Sequence, residues 1–157
     1  MPAAPRIRVA LLVPIAVAFA LAACPTLDNP FLPLPEPSYD EYVAYVQPIV
    51  GESCASLGCH GANDRTLTLY ATDYLRATTP PGTPLDPDHL TPGELRWNYD
   101  GMRMRLVDET SADTAVLLLK NLDPAEGGIE HGDGLVVFES REDPDFQTLR
   151  DWIEGGL

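Results

Sequence analysis

The chain has 157 residues, with 24 Asp or Glu against 10 Lys or Arg and a net charge of −14. So acidic a protein offers little to nucleic acid, whose phosphates need a basic surface, and little to adsorption on anionic lipid. The blander reading, a solvated acidic surface, suffices.

Residues 1–23 read as an address rather than a fold. Arg6 and Arg8 make a positive n-region, Val9 to Leu21 an apolar h-region interrupted by Pro14, and Leu21-Ala22-Ala23 leads into Cys24. This is the pattern of a secretory signal peptide, too short and wrongly flanked for a transmembrane helix. The ending resembles the bacterial lipobox. That resemblance implies cleavage before Cys24 and diacylation of its amino-terminal residue, a membrane anchor through N-terminal lipid. Several acyl chains hold firmly where one would bind reversibly. The expected location is the bacterial cell envelope, facing the periplasm or the exterior, where disulfides can form. Loss of Arg6 and Arg8 takes the charge to −16, and Cys54 and Cys59 remain as a pair.

Residues 24–37 form the lipidated N-terminus and a tether, with Pro25, Pro30, Pro33, Pro35 and Pro37 and no helical or strand period. Residues 38–157 are then one domain with one core. Ser38-Tyr39-Asp40-Glu41 is a capping box opening a helix, and Tyr42, Val43, Val46, Ile49 and Val50 recur along one face. Pro48 is expected to kink or restart it. Thr66 to Tyr70 alternates like a short strand, and Leu135 to Phe138 is a candidate to pair with it. Thr78 to Pro87 is a proline-rich loop. Thr91-Pro92-Gly93-Glu94 caps a second helix whose buried side carries Leu95, Tyr99 and Met102. Ser111 to Leu122 predicts a compact buried helix. Asp143 and Pro144 start a last helix with the stripe Phe146, Leu149, Trp152 and Ile153, ended by Gly155-Gly156. The fold class is therefore mainly α with a minor short β pair.

Between the first helix and the strand candidate lies Cys54-Ala-Ser-Leu-Gly-Cys59-His60-Gly61. Two cysteines followed at once by a histidine are the grammar of covalent c-type haem attachment, the thiols adding to the vinyl groups and the imidazole ligating iron. Here four residues separate the cysteines where the usual motif has two. The same pair can close a small disulfide, contributing about 2 kcal/mol by restraining the unfolded chain. A zinc site from Cys54, Cys59, His60 and His131 is a third reading, disfavoured because adjacent Cys59 and His60 suit few tetrahedral geometries.

In order along the chain, Tyr42 to Val50 running into Cys54…Cys59-His60-Gly61, then Ala112 to Leu119, then His131-Gly132-Asp133-Gly134 and the Trp152-Ile153-Glu154-Gly155-Gly156 ending resemble bacterial cytochrome-c-like domains of exported lipoproteins. The resemblance covers most of residues 38–157. It implies a cytochrome-c-like helical domain with a haem c held by Cys54 and Cys59, His60 as proximal iron ligand, and single-electron transfer with redox partner proteins. A related group of exported proteins keeps the architecture without haem, as a binding or structural module. For the distal metal position His131, in the glycine-rich loop before the last helix, is preferred over Met102, which fits the buried stripe. Met104 cannot share a face with Met102, and His89 belongs to an exposed loop.

No serine triad, nucleophile elbow or phosphate loop is present, so the expectation is a carrier or accessory module and not an enzyme. Asp143 and Asp145 are explained as N-cap and first-turn charge. Asp123, Glu126 and Glu130 lack the spacing of a calcium loop.

Overall fold

The computed structural model describes residues 32–132 and 134–157. The expected signal peptide, the expected lipidation site Cys24 and the expected tether up to Phe31 lie outside the described residues, as does Asp133. Among the described residues no helix is long and apolar enough to cross a membrane.

Ser38 caps α1 (Tyr39–Glu41) by accepting from the Glu41 N–H at 3.3 Å, the serine half of the expected box. The chain widens into a π-helical turn, Tyr42–Val46, before α2 (Gln47–Ser53). Pro48 accounts for the widening. It has no N–H for the carbonyl of Ala44, and its ring would collide with that carbonyl in a regular helix. Tyr42, Val46, Ile49 and Val50 are buried along this segment.

α3 (Pro92–Arg103) carries the complete capping box of Thr91 and Glu94. Its buried face differs from the expected stripe: Tyr99 and Met102 are buried, but Glu94 and Asn98 are buried with them and Leu95 is only partly covered. Polar groups tolerate this burial because each is fully used. Asn98 donates from Nδ2 to the Tyr70 carbonyl and accepts at Oδ1 from the Tyr70 N–H, both at 2.8 Å. It also donates to Gln47, which accepts the Tyr42 hydroxyl as well. Glu94 accepts from both Nε and Nη2 of Arg76, from the N–H groups of Ala77 and Thr91, and from the Thr91 hydroxyl.

Two sequence expectations are corrected. Thr66 to Tyr70 forms no strand pair with Leu135 to Phe138, and among the described residues there is no sheet. The alternation does reflect burial, since Leu67 and Leu69 are inside, but the backbone partner of Tyr70 is the amide of Asn98. Phe138 instead makes an isolated parallel bridge to Leu122. The predicted helix over Ser111 to Leu122 is broken as well. A 3₁₀ turn, Ala112–Thr114, ends at Ala115 in extended conformation (φ −61°, ψ 124°), and α4 covers only Val116–Leu119. The break buries Ala112, Ala115, Leu117 and Leu118 while Val116 faces out, a set no single α-helical face would hold.

α5 (Pro144–Glu154) runs as expected. The Asp143 carboxylate accepts from the N–H groups of Asp145 and Phe146, and Gly155 closes the helix at φ 71°. Phe146, Leu149, Trp152 and Ile153 are buried. Trp152 packs on Tyr42 at 5.5 Å and Tyr99 at 6.3 Å between ring centroids, so the first, third and last helices meet around one aromatic cluster.

The end of the proline-rich segment is docked and not free. Leu34 donates its N–H to the Glu109 carbonyl at 3.1 Å, the Tyr99 hydroxyl donates to the Pro37 carbonyl at 2.6 Å, and Trp152 Nε1 donates to the Ser38 carbonyl at 2.9 Å. Prolines have no N–H to satisfy, so this stretch seats its carbonyls on side-chain donors of the domain.

Candidate functional site

The loop after α2 is wound tightly on itself. Cys59 and Gly61 both donate N–H groups to the Ser56 carbonyl at 2.9 Å, and His60 donates to the Cys54 carbonyl at 3.0 Å. Gly61 is required by the winding: a Cβ there would sit 2.0 Å from the Ala55 carbonyl oxygen. Gly61→Ala must therefore push backbone aside, and a loss of about 1–3 kcal/mol in urea unfolding is expected, as for overpacking in a core. A loss under about 0.5 kcal/mol would show that the loop can open without cost.

The winding aims Cys54 and His60 into a cavity of about 470 Å³, in the size range of cofactor and ligand sites. Its apolar lining includes Leu67, Leu69, Met102, Leu117 and Leu149. His131 reaches the same cavity from the loop that follows the Pro124–Glu126 turn. A smaller space of about 170 Å³ beside it is lined by Cys54, Cys59, His60 and His131 together. The two imidazoles lie 5.8 Å apart between centroids with planes 30° apart. The structure thus brings Cys54, Cys59, His60 and His131 to one place. Met102 is buried in the lining of the larger cavity, whereas Met104 is 59% exposed. His89 stands on the surface, in contact with Asp86.

Each group has a defined state. His60 Nδ1 lies 2.9 Å from the Leu67 carbonyl. A carbonyl only accepts, so Nδ1 is the protonated, donating nitrogen of this contact. His131 Nδ1 is buried with no hydrogen-bond partner among the described residues. Burial, then the charges of His60 and Lys120, depress the pKa of His131, which keeps this ring neutral. Burial, and secondarily the neighbouring Cys59, push the Cys54 thiol up to about 11, so it stays protonated at neutral pH. Both cysteines are free thiols here. Among the described residues no three His, Cys, Asp or Glu side chains gather as a metal site.

Sequence reasoning missed Arg65, Arg105 and Lys120, which also line the cavity. Their only sequence signal is scarcity, eight basic residues following Cys24 in so acidic a chain.

Compared with known proteins, the chain matches no family model, no curated protein and no solved structure.

Proposed function

We propose that this is an envelope-anchored lipoprotein whose helical domain is cytochrome-c-like and carries one haem c for single-electron transfer. The observation that carries the reading is that Cys54, His60 and His131 line an apolar cavity of about 470 Å³ and meet Cys59 in the adjoining space of about 170 Å³. The lipobox-like Leu21-Ala22-Ala23-Cys24 supplies the anchor.

The residues fit the group. The buried, unpartnered Nδ1 of His131 is a donor atom waiting for an acceptor or a metal. His60, fixed through Nδ1 by the Leu67 carbonyl, offers Nε2 as proximal ligand, the orientation that a hydrogen bond on the far nitrogen normally secures. Cys54 and Cys59 would hold the porphyrin through thioethers, each S–H adding across a vinyl with sulfur on one carbon and hydrogen on the other. Bound haem iron supplies a reversible one-electron couple. The protein's part would be to hold it, to exclude bulk water with the cavity-lining Leu67, Leu69, Leu117 and Leu149, and to supply a second iron ligand. His131 is the preferred donor there. Met102, in the same lining, would raise the potential if it served instead.

The test is the full chain produced in a host with a haem-attachment system. A covalent haem mass and a pyridine-haemochrome band are expected. Cys59→Ala should reduce or abolish the added mass, and His60→Ala should alter the iron spectrum. Absence of both the band and the mass would overturn the reading. A mass two hydrogens below the reduced chain would assign Cys54 and Cys59 to a disulfide in a haem-free binding or structural module, in which His60→Ala is nearly silent.

A further inference from the structure

Eight cationic side chains follow Cys24. Arg76, Arg96, Arg103 and Arg150 each pair with a carboxylate at 2.8 to 3.3 Å. Arg65 reaches only its neighbour Asp64, at 3.9 Å. Arg105, Lys120 and Arg141 have no carboxylate partner among the described residues, and two of these three line the large cavity together with Arg65. No Asp or Glu among the described residues lines either that cavity or the smaller one. In a chain with three acidic residues for every basic one after Cys24, three cations and no acid at one apolar cavity is a reversal of the surrounding charge.

Arg105 is the strongest member. It is half-buried, its Nη1 donates to the Gly101 carbonyl at 2.7 Å, and the rest of the guanidinium fork has no partner among the described residues. A guanidinium removed from water without an anion is costly, and its planar fork suits a carboxylate held by two hydrogen bonds. Burial depresses its pKa, which a bound anion would reverse. Lys120, exposed at the end of α4, adds a second cation to the same lining.

We propose that Arg105 and Lys120 form a carboxylate anchor, so that the cavity selects an apolar ligand bearing carboxylate groups, its body on the leucines and Met102 and its acid groups on these two cations. This deepens the haem reading, in which those groups are the porphyrin propionates. The shared chemistry extends to a fatty-acid carboxylate, and the experiment separates the two sources.

The full chain, made in a host without haem attachment and held in detergent, is titrated by fluorescence with metal-free protoporphyrin IX, its dimethyl ester, and palmitate. These probes need neither iron ligation nor thioethers. Protoporphyrin IX is expected to bind at least tenfold tighter than the ester. Arg105→Gln and Lys120→Gln should each weaken the free acid about fivefold or more, leave the ester within twofold, and keep the circular dichroism spectrum. Arg141→Gln removes the same charge from outside the lining of both cavities and should leave binding unchanged. Equal binding of acid and ester, an equal loss in Arg141→Gln, or no binding of any carboxylate probe would overturn the anchor. Palmitate binding that depends on Arg105, with no porphyrin binding, would uphold the anchor and remove the haem reading.

Discussion

Trp152→Ala should lower the stability of the domain by about 3–5 kcal/mol. The indole is fully buried, packs against Tyr42 and Tyr99, and donates Nε1 to the Ser38 carbonyl. Truncation leaves a cavity where the first, third and last helices meet, and such a cavity can close only by moving all three. Against a total stability of about 5–15 kcal/mol for a domain of this kind, the variant is near its unfolding threshold. Trp152→Phe separates packing from hydrogen bonding. The Ser38 carbonyl also accepts the Tyr42 N–H at 3.1 Å, so it is not orphaned by loss of the indole donor. The phenylalanine variant should therefore cost about 1–2 kcal/mol, mostly from lost volume. Chemical denaturation of the three proteins checks this; a Phe variant as weak as the Ala variant would show that the hydrogen bond, not the packing, carries the site.

Glu94→Gln is expected to cost about 3–5 kcal/mol, as breaking a buried ion pair does when one charge is left behind. Both carboxylate oxygens accept from N–H groups, Oε1 from Arg76 and Ala77, Oε2 from Arg76 and Thr91. A glutamine must turn its NH₂ toward donors on one side, whichever way it is placed. The effect should reach the proline-rich loop, because Arg76 also donates to the Asp86 and His89 carbonyls. The pH dependence has a definite sign. Burial by itself would raise the Glu94 pKa, but Arg76 and the N–H groups of Thr91 and Ala77 bring it from 4.5 down to about 2. A depressed carboxylate pKa means that the native state binds fewer protons, so its contribution is complete above 4.5 and is lost as pH falls toward 2. The stability difference between the natural protein and Glu94→Gln should be flat above pH 5 or so and shrink through that window. A difference that stays constant to pH 2 would mean the ion pair is not what the substitution removed.

What the sequence made legible is local. The Thr91 to Glu94 box, the Asp143 cap, the Gly155 stop and the Trp152 stripe each depend on residues a few positions apart, and each stands where expected. Partners distant in the chain were not legible. Alternation over Thr66 to Tyr70 reported that Leu67 and Leu69 are buried, but not that an asparagine on α3 would take the place of a neighbouring strand. The capping box announced Glu94, but gave no sign that Arg76 would cover it. At the candidate site the cysteines and His60 are a contiguous motif, and His131 had to be chosen from a glycine-rich loop by resemblance. The cations at the cavity carry no spacing signal, since Arg65, Arg105 and Lys120 come from three separate segments.

The docked stretch from Leu34 to Ser38 has a mechanical consequence. Its attachments are the Glu109 carbonyl, the Tyr99 hydroxyl and the Trp152 indole. Tension drawn through the N-terminal segment would be shared across these three bonds before it reached α1. The two side-chain donors belong to α3 and α5, the helices of the aromatic cluster, so the load passes into the part of the domain least able to yield. The loop from Cys54 to Gly61 lies beyond α2 and off this path, whereas Met102 of α3 and Leu149 of α5 tie the cavity's far wall to the helices that take the load.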